Sequence, residues 1–438
     1  MRYTSNSPTV AMDMLKEIGL NHIDDLFTDI PSGLKLGREL DLGPGMTEME
    51  VKSKLNELAS RNTNVEQMPC FLGAGAYDHY IPAALDQLLL RSEFYTAYTP
   101  YQPEISQGIL QSIFEYQTLI CNLTGMDVTN ASMYDGATAL AEACTLACES
   151  TKRKKVLVPD TIHPEYIEVI KTYAISGKSQ IEVVSCANGV IDEKFTEAID
   201  KETACIIVQQ PNFYGNLEDL REAEKQVHAS GGMLVMMVDP ISLALLKSPS
   251  EWGADIVAGE GQALGNSLSL GGPYLGFLAV SKKLMRKIPG RVVGQSLDQE
   301  GRRAFVLTLQ AREQHIRREK ASSNICSNQA LNALAAAIYF TLVGPRGLKE
   351  IALRSHQLAV YASTVLTAAG LSLKYQAPFF REFALKVDNP RAVNQHLLAN
   401  GIIGGYELKD ALLLAFTEKR TRKQIDSLAE VIGGMKNE

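Results

Sequence analysis

The sequence lacks the features that would place the protein in a membrane or outside the cell. No apolar run approaches the roughly 18 residues that a bilayer-spanning helix needs, and the start, Met1-Arg-Tyr-Thr-Ser-Asn6, contains no apolar signal segment. The 7 cysteines are odd in number and scattered, which is unlike a disulfide framework. We therefore expect a cytoplasmic protein with reduced thiols and no membrane association.

Patterns typical of metal binding and nucleic-acid binding are also missing. Cys144 and Cys148 lie close together on a predicted helix, but no second Cys or His pair has a matching spacing. The net charge of −7 at pH 7 argues against nucleic acid as a partner. The sequence thus predicts no metal site and no nucleic-acid interface.

The pattern of apolar residues predicts three parts. The pattern of residues 1–68 predicts an N-terminal helical arm. Within it, Thr47-Glu-Met-Glu50 is a capping box for a helix that runs to about residue 61. Residues 69–330 predict a large α/β domain with a mostly parallel sheet, because continuous apolar runs alternate with helical patterns. Residues 331–438 predict linking helices and a small α+β C-terminal domain. Within the large domain, residues 282–320 predict a basic helical segment.

One loop is unusually aromatic, with Tyr95, Tyr98 and Tyr101 at every third position and Gln102 beside them. The prolines at 100 and 103 forbid a regular helix, so an extended turn could present all three rings on one face. The rings either pack on their own subunit or face a ligand or a second subunit.

Two further places suit an anion or a ligand. Asp135, Gly136, Ala137 and Thr138 begin a predicted helix, and free backbone N–H groups at such a start suit a phosphate. Asp239 ends a predicted buried strand, where open α/β sheets bind their ligands. Ordinary helix-start and strand-end roles are the alternative for both.

Four stretches of the sequence carry a family resemblance. They are Met68-Pro-Cys-Phe-Leu-Gly-Ala-Gly-Ala-Tyr-Asp-His-Tyr-Ile-Pro82, Tyr98-Thr-Pro-Tyr-Gln-Pro-Glu-Ile-Ser-Gln-Gly108, Tyr134-Asp-Gly-Ala-Thr-Ala139 and Arg312-Glu-Gln-His-Ile-Arg-Arg-Glu-Lys-Ala-Ser-Ser-Asn-Ile-Cys326. Together they resemble the glycine decarboxylase P-protein of the glycine cleavage system, over nearly the whole chain. The resemblance is closest to the separate bacterial chains that correspond to the N-terminal half of the fused P-protein.

The resemblance implies an α/β fold, namely fold type I of the pyridoxal-phosphate-dependent transferases, the aminotransferase-like fold. It implies part of an enzyme, glycine dehydrogenase (decarboxylating), which releases the carboxyl group of glycine as carbon dioxide. The aminomethyl group passes to the lipoyl arm of the H-protein. Pyridoxal phosphate serves as the electron sink, and a lysine holds it as a Schiff base.

The lysine of the catalytic P-protein subunit stands in an Asn-x-His-Lys-Thr stretch before a Gly-Gly-Pro. Counted back from Gly271-Gly-Pro273, Gln262 takes its place, and no lysine lies between Lys247 and Lys282. A neutral amide is not a nucleophile. The resemblance therefore implies that pyridoxal phosphate sits on the partner subunit and not covalently on this chain.

The resemblance also implies an αβ or α2β2 assembly, a heterotetramer in the second case, with this chain inactive alone. The segment 135–138 and Asp239 would be vestigial parts of a cofactor site. Residues Tyr95, Tyr98, Tyr101 and Gln102 would reach the partner's active site across the interface. Two alternatives stay open: a purely structural or regulatory partner, and a self-sufficient pyridoxal-phosphate lyase or aminotransferase.

Overall fold

The structure, a computed structural model, describes residues 6–321, 323, 325 and 328–435. The chain divides into two compact units, Met1–Thr63 and Asn64–Glu438. In chain order the α-helices are α1 (Pro8–Glu17), α2 (Glu48–Ala59), α3 (Ala83–Leu89), α4 (Ser92–Tyr95), α5 (Gln107–Thr124), α6 (Gly136–Thr151), α7 (Pro164–Ala174), α8 (Glu193–Glu197), α9 (Arg221–Ala229), α10 (Gln314–Arg317), α11 (Ala330–Ala368), α12 (Pro390–Ala399) and α13 (Arg422–Gly434).

The first unit contains α1 and α2, and no strand occurs in its described residues, 6–63. The predicted capping box is confirmed at α2. The Thr47 hydroxyl accepts from the backbone N–H of Glu50, and the Glu50 carboxylate accepts from the backbone N–H of Thr47. These reciprocal bonds satisfy two of the donors that a helix start leaves unpaired. Among the described helices of the whole chain, none combines the length and apolar character needed to cross a bilayer.

The second unit contains the strands. They are β1 (Val128–Thr129), β2 (Lys155–Pro159), β3 (Gln180–Val184), β4 (Thr203–Gln210), β5 (Met233–Val238), β6 (Ile256–Glu260), β7 (Gly276–Val280), β8 (Val292–Leu297), β9 (Arg303–Thr308), β10 (Glu382–Lys386), β11 (Tyr406–Glu407) and β12 (Ala411–Ala415).

A seven-stranded sheet in the order β1-β7-β6-β5-β4-β2-β3 organises the described part of this unit. Strands β3, β2, β4, β5 and β6 are parallel, whereas β7 runs antiparallel to both of its neighbours. Both faces are buried: Val156 and Val158 pack into one apolar cluster and Leu157 into the other. This explains the continuous apolar runs in the sequence, because a parallel strand covered on both sides has no polar face.

The C-terminal part of the unit forms a smaller antiparallel sheet, β10-β12-β11. Its apolar face packs with α12, α13 and the second half of α11, and Phe383, Leu414 and Ile425 lie in this core. The prediction that this region combines helices with strands agrees with the structure. The domain boundaries at residues 68 and 330 stay predictions.

The prediction of a helical segment over residues 282–320 was wrong. Strands β8 and β9 form an antiparallel hairpin there, and α10 is a single short turn. Charged residues between the two strands concealed the hairpin, in which Val293 and Phe305 are buried. Arg312 donates to the carbonyl oxygen of Ile288.

Candidate functional site

A small cavity lies where the strands β4, β5 and β6 end and β10 begins. Its volume is about 40 Å³, and its walls include Tyr77, Asp239, Glu260 and Arg381. The carboxyl ends of parallel strands are the usual ligand-binding edge of an open α/β sheet. The predicted strand-end residue Asp239 therefore does lie at a concave site, although a small one.

Gln262 is buried just beside this cavity, with only 2% of its surface exposed. Its side-chain carbonyl oxygen accepts from the backbone N–H of Tyr77 at 2.8 Å. Its amide nitrogen donates to the carbonyl oxygens of Tyr77 at 3.1 Å and Asn266 at 2.8 Å. The amide therefore pairs with both the backbone N–H and the carbonyl oxygen of Tyr77. The ammonium group of a lysine could not do so, because it has no acceptor.

The segment 135–138, predicted to suit an anion, does begin a helix. Asp135 is the N-cap of α6, and its carboxylate accepts from the backbone N–H of Thr138 at 2.8 Å. A second donor at this helix start, the backbone N–H of Gly136, donates to Oε2 of Glu260, with a nitrogen–oxygen distance of 2.9 Å. A protein carboxylate thus already lies at this helix start, while the side chain of Ala137 is buried.

Glu260 accepts two more backbone hydrogen bonds, from Gln262 at 3.0 Å and Leu275 at 3.0 Å. Only 9% of its surface is exposed. Burial raises the pKa of Glu260 to about 7, against the three N–H donors, which act to lower it. The carboxyl group joins the start of α6 to the loop that follows β6.

Asp239 is paired inside the chain. One of its oxygens lies 2.7 Å from the guanidinium of Arg381, whose side chain is 2% exposed, and the other accepts from the backbone N–H of Ile241. The guanidinium carbon of Arg381 lies 3.7 Å from the centre of the Tyr77 ring. This is a stacked cation–π contact in a desolvated place, the setting in which such contacts are strongest.

Further buried polar groups extend this arrangement. Arg381 also contacts the His79 ring, whose other nitrogen lies 2.6 Å from the Glu418 carboxylate. Burial acts to raise the pKa of Glu418, but the contact with His79 and backbone hydrogen bonds, among them that from Tyr80, together outweigh it, and the net shift is downward. The neighbouring Glu382 accepts from the Tyr77 hydroxyl at 2.8 Å, and burial raises the pKa of Glu382 to about 7.

His163 lies against the same cavity wall as a neutral ring. It stacks on Tyr166 with ring centres 4.7 Å apart. Its Nε2 lies 2.9 Å from the carbonyl oxygen of Ala74, and its Nδ1 accepts from the backbone N–H of Glu165. Since a carbonyl can only accept, Nε2 carries the proton. Burial lowers the pKa of His163, which keeps the ring uncharged.

The aromatic loop does not join this cavity. Tyr95, Tyr98 and Tyr101 are 61%, 88% and 53% exposed. Tyr101 accepts a hydrogen bond from Arg291 at 2.9 Å, so this ring is held by its own chain, while Tyr98 projects into solvent. Gln102 precedes a short 3-10 turn and is also exposed. The structure separates these four predicted residues from the pair Gln262 and Asp239.

Sequence reasoning missed Glu260, Arg381 and the role of Tyr77. One signal was available: Glu260 is an acidic residue at the end of an apolar strand, two residues before the place of the lysine. A charged group in such a position needs a buried partner. Arg381 carried no comparable signal, because it lies more than a hundred residues farther along the chain.

Comparisons with known proteins identify the family. The model of the glycine cleavage system P-protein family matches residues 1–432. The chain belongs to the glycine cleavage system P-protein family. It is 65% identical to the probable glycine dehydrogenase (decarboxylating) subunit 1 of Syntrophomonas wolfei, over 99% of both chains.

Solved structures agree with this P-protein assignment. A crystal structure of glycine decarboxylase (P-protein) in inhibitor-bound form is 40% identical, with a TM-score of 0.92 over 99% of this chain and 100% of that chain. The alanine–glyoxylate aminotransferase of Nostoc is 15% identical, with a TM-score of 0.59 over 85% of this chain and 100% of that one. The predicted fold type I of the pyridoxal-phosphate enzymes is therefore confirmed.

Pyridoxal phosphate, the cofactor of this fold, does not fit the residues present here. A cavity of about 40 Å³ is far smaller than the roughly 300–1,000 Å³ of ordinary ligand pockets. Glu260 lies at the helix start that would receive the phosphate, and Arg381 is bound to Asp239, which would face the pyridine nitrogen. Gln262 offers no amine.

Proposed function

We propose that this chain is subunit 1 of glycine dehydrogenase (decarboxylating), the P-protein component of the glycine cleavage system. The complete enzyme decarboxylates glycine and transfers the aminomethyl group to the lipoyl arm of the H-protein. The observation that carries the proposal is the buried Gln262, a fully hydrogen-bonded amide in the lysine's place within a P-protein chain. Such a chain acts only with a catalytic partner.

Pyridoxal phosphate then belongs to the second subunit of the assembly. The contacts beside Gln262 support this placement, since the Glu260 carboxyl group already accepts from the start of α6 and Arg381 already pairs with Asp239 there. Lipoylated H-protein and glycine are the partners of the complete assembly. An αβ or α2β2 arrangement would give each catalytic subunit one copy of this chain.

The aromatic loop is the part of the chain proposed to reach the partner's active site. Tyr95, Tyr98, Tyr101 and Gln102 are exposed on one continuous segment, and exposed tyrosines are enriched where protein interfaces form. A rigid aromatic side chain covers apolar surface while its hydroxyl remains available for hydrogen bonds. These residues would exclude water from glycine and position it, whereas the catalytic lysine comes from the partner.

Reconstitution tests the proposal. Glycine-dependent release of carbon dioxide is expected when this chain, the catalytic subunit and lipoylated H-protein are combined, and neither subunit alone should support it. In parallel, the visible absorbance of this chain with pyridoxal phosphate is recorded before and after borohydride reduction. A reducible lysine adduct on the isolated chain would contradict the proposal and favour the self-sufficient enzyme.

A further inference from the structure

The buried charges around the cavity reproduce the contacts that a cofactor of this fold requires. A fold type I cofactor brings a phosphate group to a helix start and an aromatic cationic ring to a carboxylate. In this chain, Glu260 brings a carboxyl group to the start of α6, and Arg381 brings a flat cation to Asp239. Both groups belong to the protein itself.

The position of Glu260 has a clear physical reason. The first backbone N–H groups of a helix have no partner within the helix, and the helix dipole favours negative charge there. The Glu260 carboxyl group accepts from Gly136 of α6 and, through its other oxygen, from Gln262 and Leu275. Three backbone donors therefore converge on one carboxyl group, as they would on a phosphate.

The position of Arg381 is equally specific. Its guanidinium is planar and cationic, stacks 3.7 Å from the centre of the Tyr77 ring, and lies 2.7 Å from the Asp239 carboxylate. A protonated pyridine ring would take the same two kinds of contact, one to its face and one to its nitrogen. Arginine suits this replacement because its charge is delocalised over a flat group.

We infer that Glu260 and Arg381 form an internal replacement for the cofactor, with the carboxylate in the place of the phosphate and the guanidinium in the place of the ring. The replacement closes the site against free cofactor as well as against covalent attachment. It goes beyond the proposed function, because it concerns the core of this chain whether or not the assembly decarboxylates glycine.

The inference predicts rescue by inorganic phosphate. Glu260→Ala removes the carboxylate and leaves three buried N–H donors around a space that an anion can enter. In chloride buffer, the Tm of this variant should be lower than that of the wild type. Exchanging chloride for roughly 50 mM phosphate at matched ionic strength should raise the Tm of the variant by about 3 °C, if phosphate binds with a dissociation constant near 1 mM. The wild-type chain should show no such rise.

Glu218→Ala is the matched control. Glu218 is also buried and also accepts from a backbone N–H, that of Ile191, but it lies at no α-helix start. Phosphate should therefore not raise the Tm of Glu218→Ala beyond the wild-type response. Equal rescue of both variants, or no rescue of a folded Glu260→Ala, would overturn the inference.

A second variant decides the matter where Glu260→Ala does not fold. Glu260→Gln keeps the side-chain volume but places an NH₂ group against one of the N–H donors. It should be less stable than the wild type and insensitive to phosphate. A Glu260→Gln variant as stable as the wild type would refute the replacement. None of these measurements uses glycine turnover, so their failure is separate from failure of the proposed function.

Discussion

Replacing Arg381 by methionine is expected to destabilise the folded chain by about 3–5 kcal/mol. Methionine has a similar length but no charge, so the Asp239 carboxylate loses the cation 2.7 Å away and remains largely buried. Removing one partner of a buried ion pair costs this much because the other charge stays desolvated. For a unit as long as Asn64–Glu438, the loss corresponds to a fall in Tm of roughly 4–6 °C.

Thermal unfolding followed by circular dichroism, together with urea midpoints, measures this loss. Arg221→Met is the matched control, since it breaks an ion pair with Asp219 in which the Arg221 side chain is 81% exposed, and should leave the stability unchanged. The double variant Arg381→Met with Asp239→Asn should recover part of the loss, because the unpaired charge is gone. An Arg381→Met Tm equal to that of Arg221→Met would refute the reasoning.

Three further predictions follow from buried groups and from the exposed loop. Burial raises the pKa of Glu218, Glu260 and Glu382 to about 7 from 4.5, so the folded chain holds these protons more tightly than the unfolded chain. The stability that these bound protons contribute is fully present below pH 4.5 and is lost as the pH rises through 7. The urea midpoint should therefore be lower at about pH 8 than at about pH 5.5. Gly215→Ala should destabilise by at least about 3 kcal/mol in urea unfolding, because its Cβ would lie 1.9 Å from the carbonyl oxygen of Glu382 at a φ of +82°. Tyr98→Ala should leave the Tm of the isolated chain unchanged and lower glycine turnover of the intact assembly, because the ring is 88% exposed.

Each of these has an outcome that would contradict it. A urea midpoint that increases between the two pH values would mean that the buried carboxyl groups do not carry raised pKa values. Gly108→Ala is the control for Gly215, since a Cβ there meets no atom within 4 Å, and equal costs would remove the steric argument. Loss of assembly in Tyr98→Ala, rather than loss of turnover, would favour the structural-partner alternative.

The strands of the main sheet could be predicted because each is marked by a short continuous stretch of the sequence. Strands β2, β4, β5 and β7 are continuous apolar runs, and burial on both faces requires such runs. The hairpin of β8 and β9 was not predictable in the same way, because its charged turn dominated the composition. The sequence predicted linking helices after residue 330; the structure has α11 there, with a break at Gly344, where φ is +61° and Pro345 follows.

The candidate site, too, has parts that the sequence could predict and parts that it could not. The place of Gln262 could be found by counting within one loop, and the helix start at Asp135 by its capping residues. What fills the site depends on contacts between distant segments: Glu260 with Gly136, and Arg381 with Asp239. No local pattern encodes these pairs, so the sequence alone could not show which side chains lie in the predicted vestigial site.

The closed site also bears on how such a chain could regain a cofactor. Changing Gln262 to lysine restores the amine, but it leaves the carboxylate of Glu260 at the helix start and the guanidinium of Arg381 on Asp239. A bound phosphate would have to displace a group held by three backbone donors, and the ring would have to break a buried ion pair. Because both costs apply at once, we expect lysine at position 262 alone to be insufficient for cofactor binding, so that all three positions would have to change together.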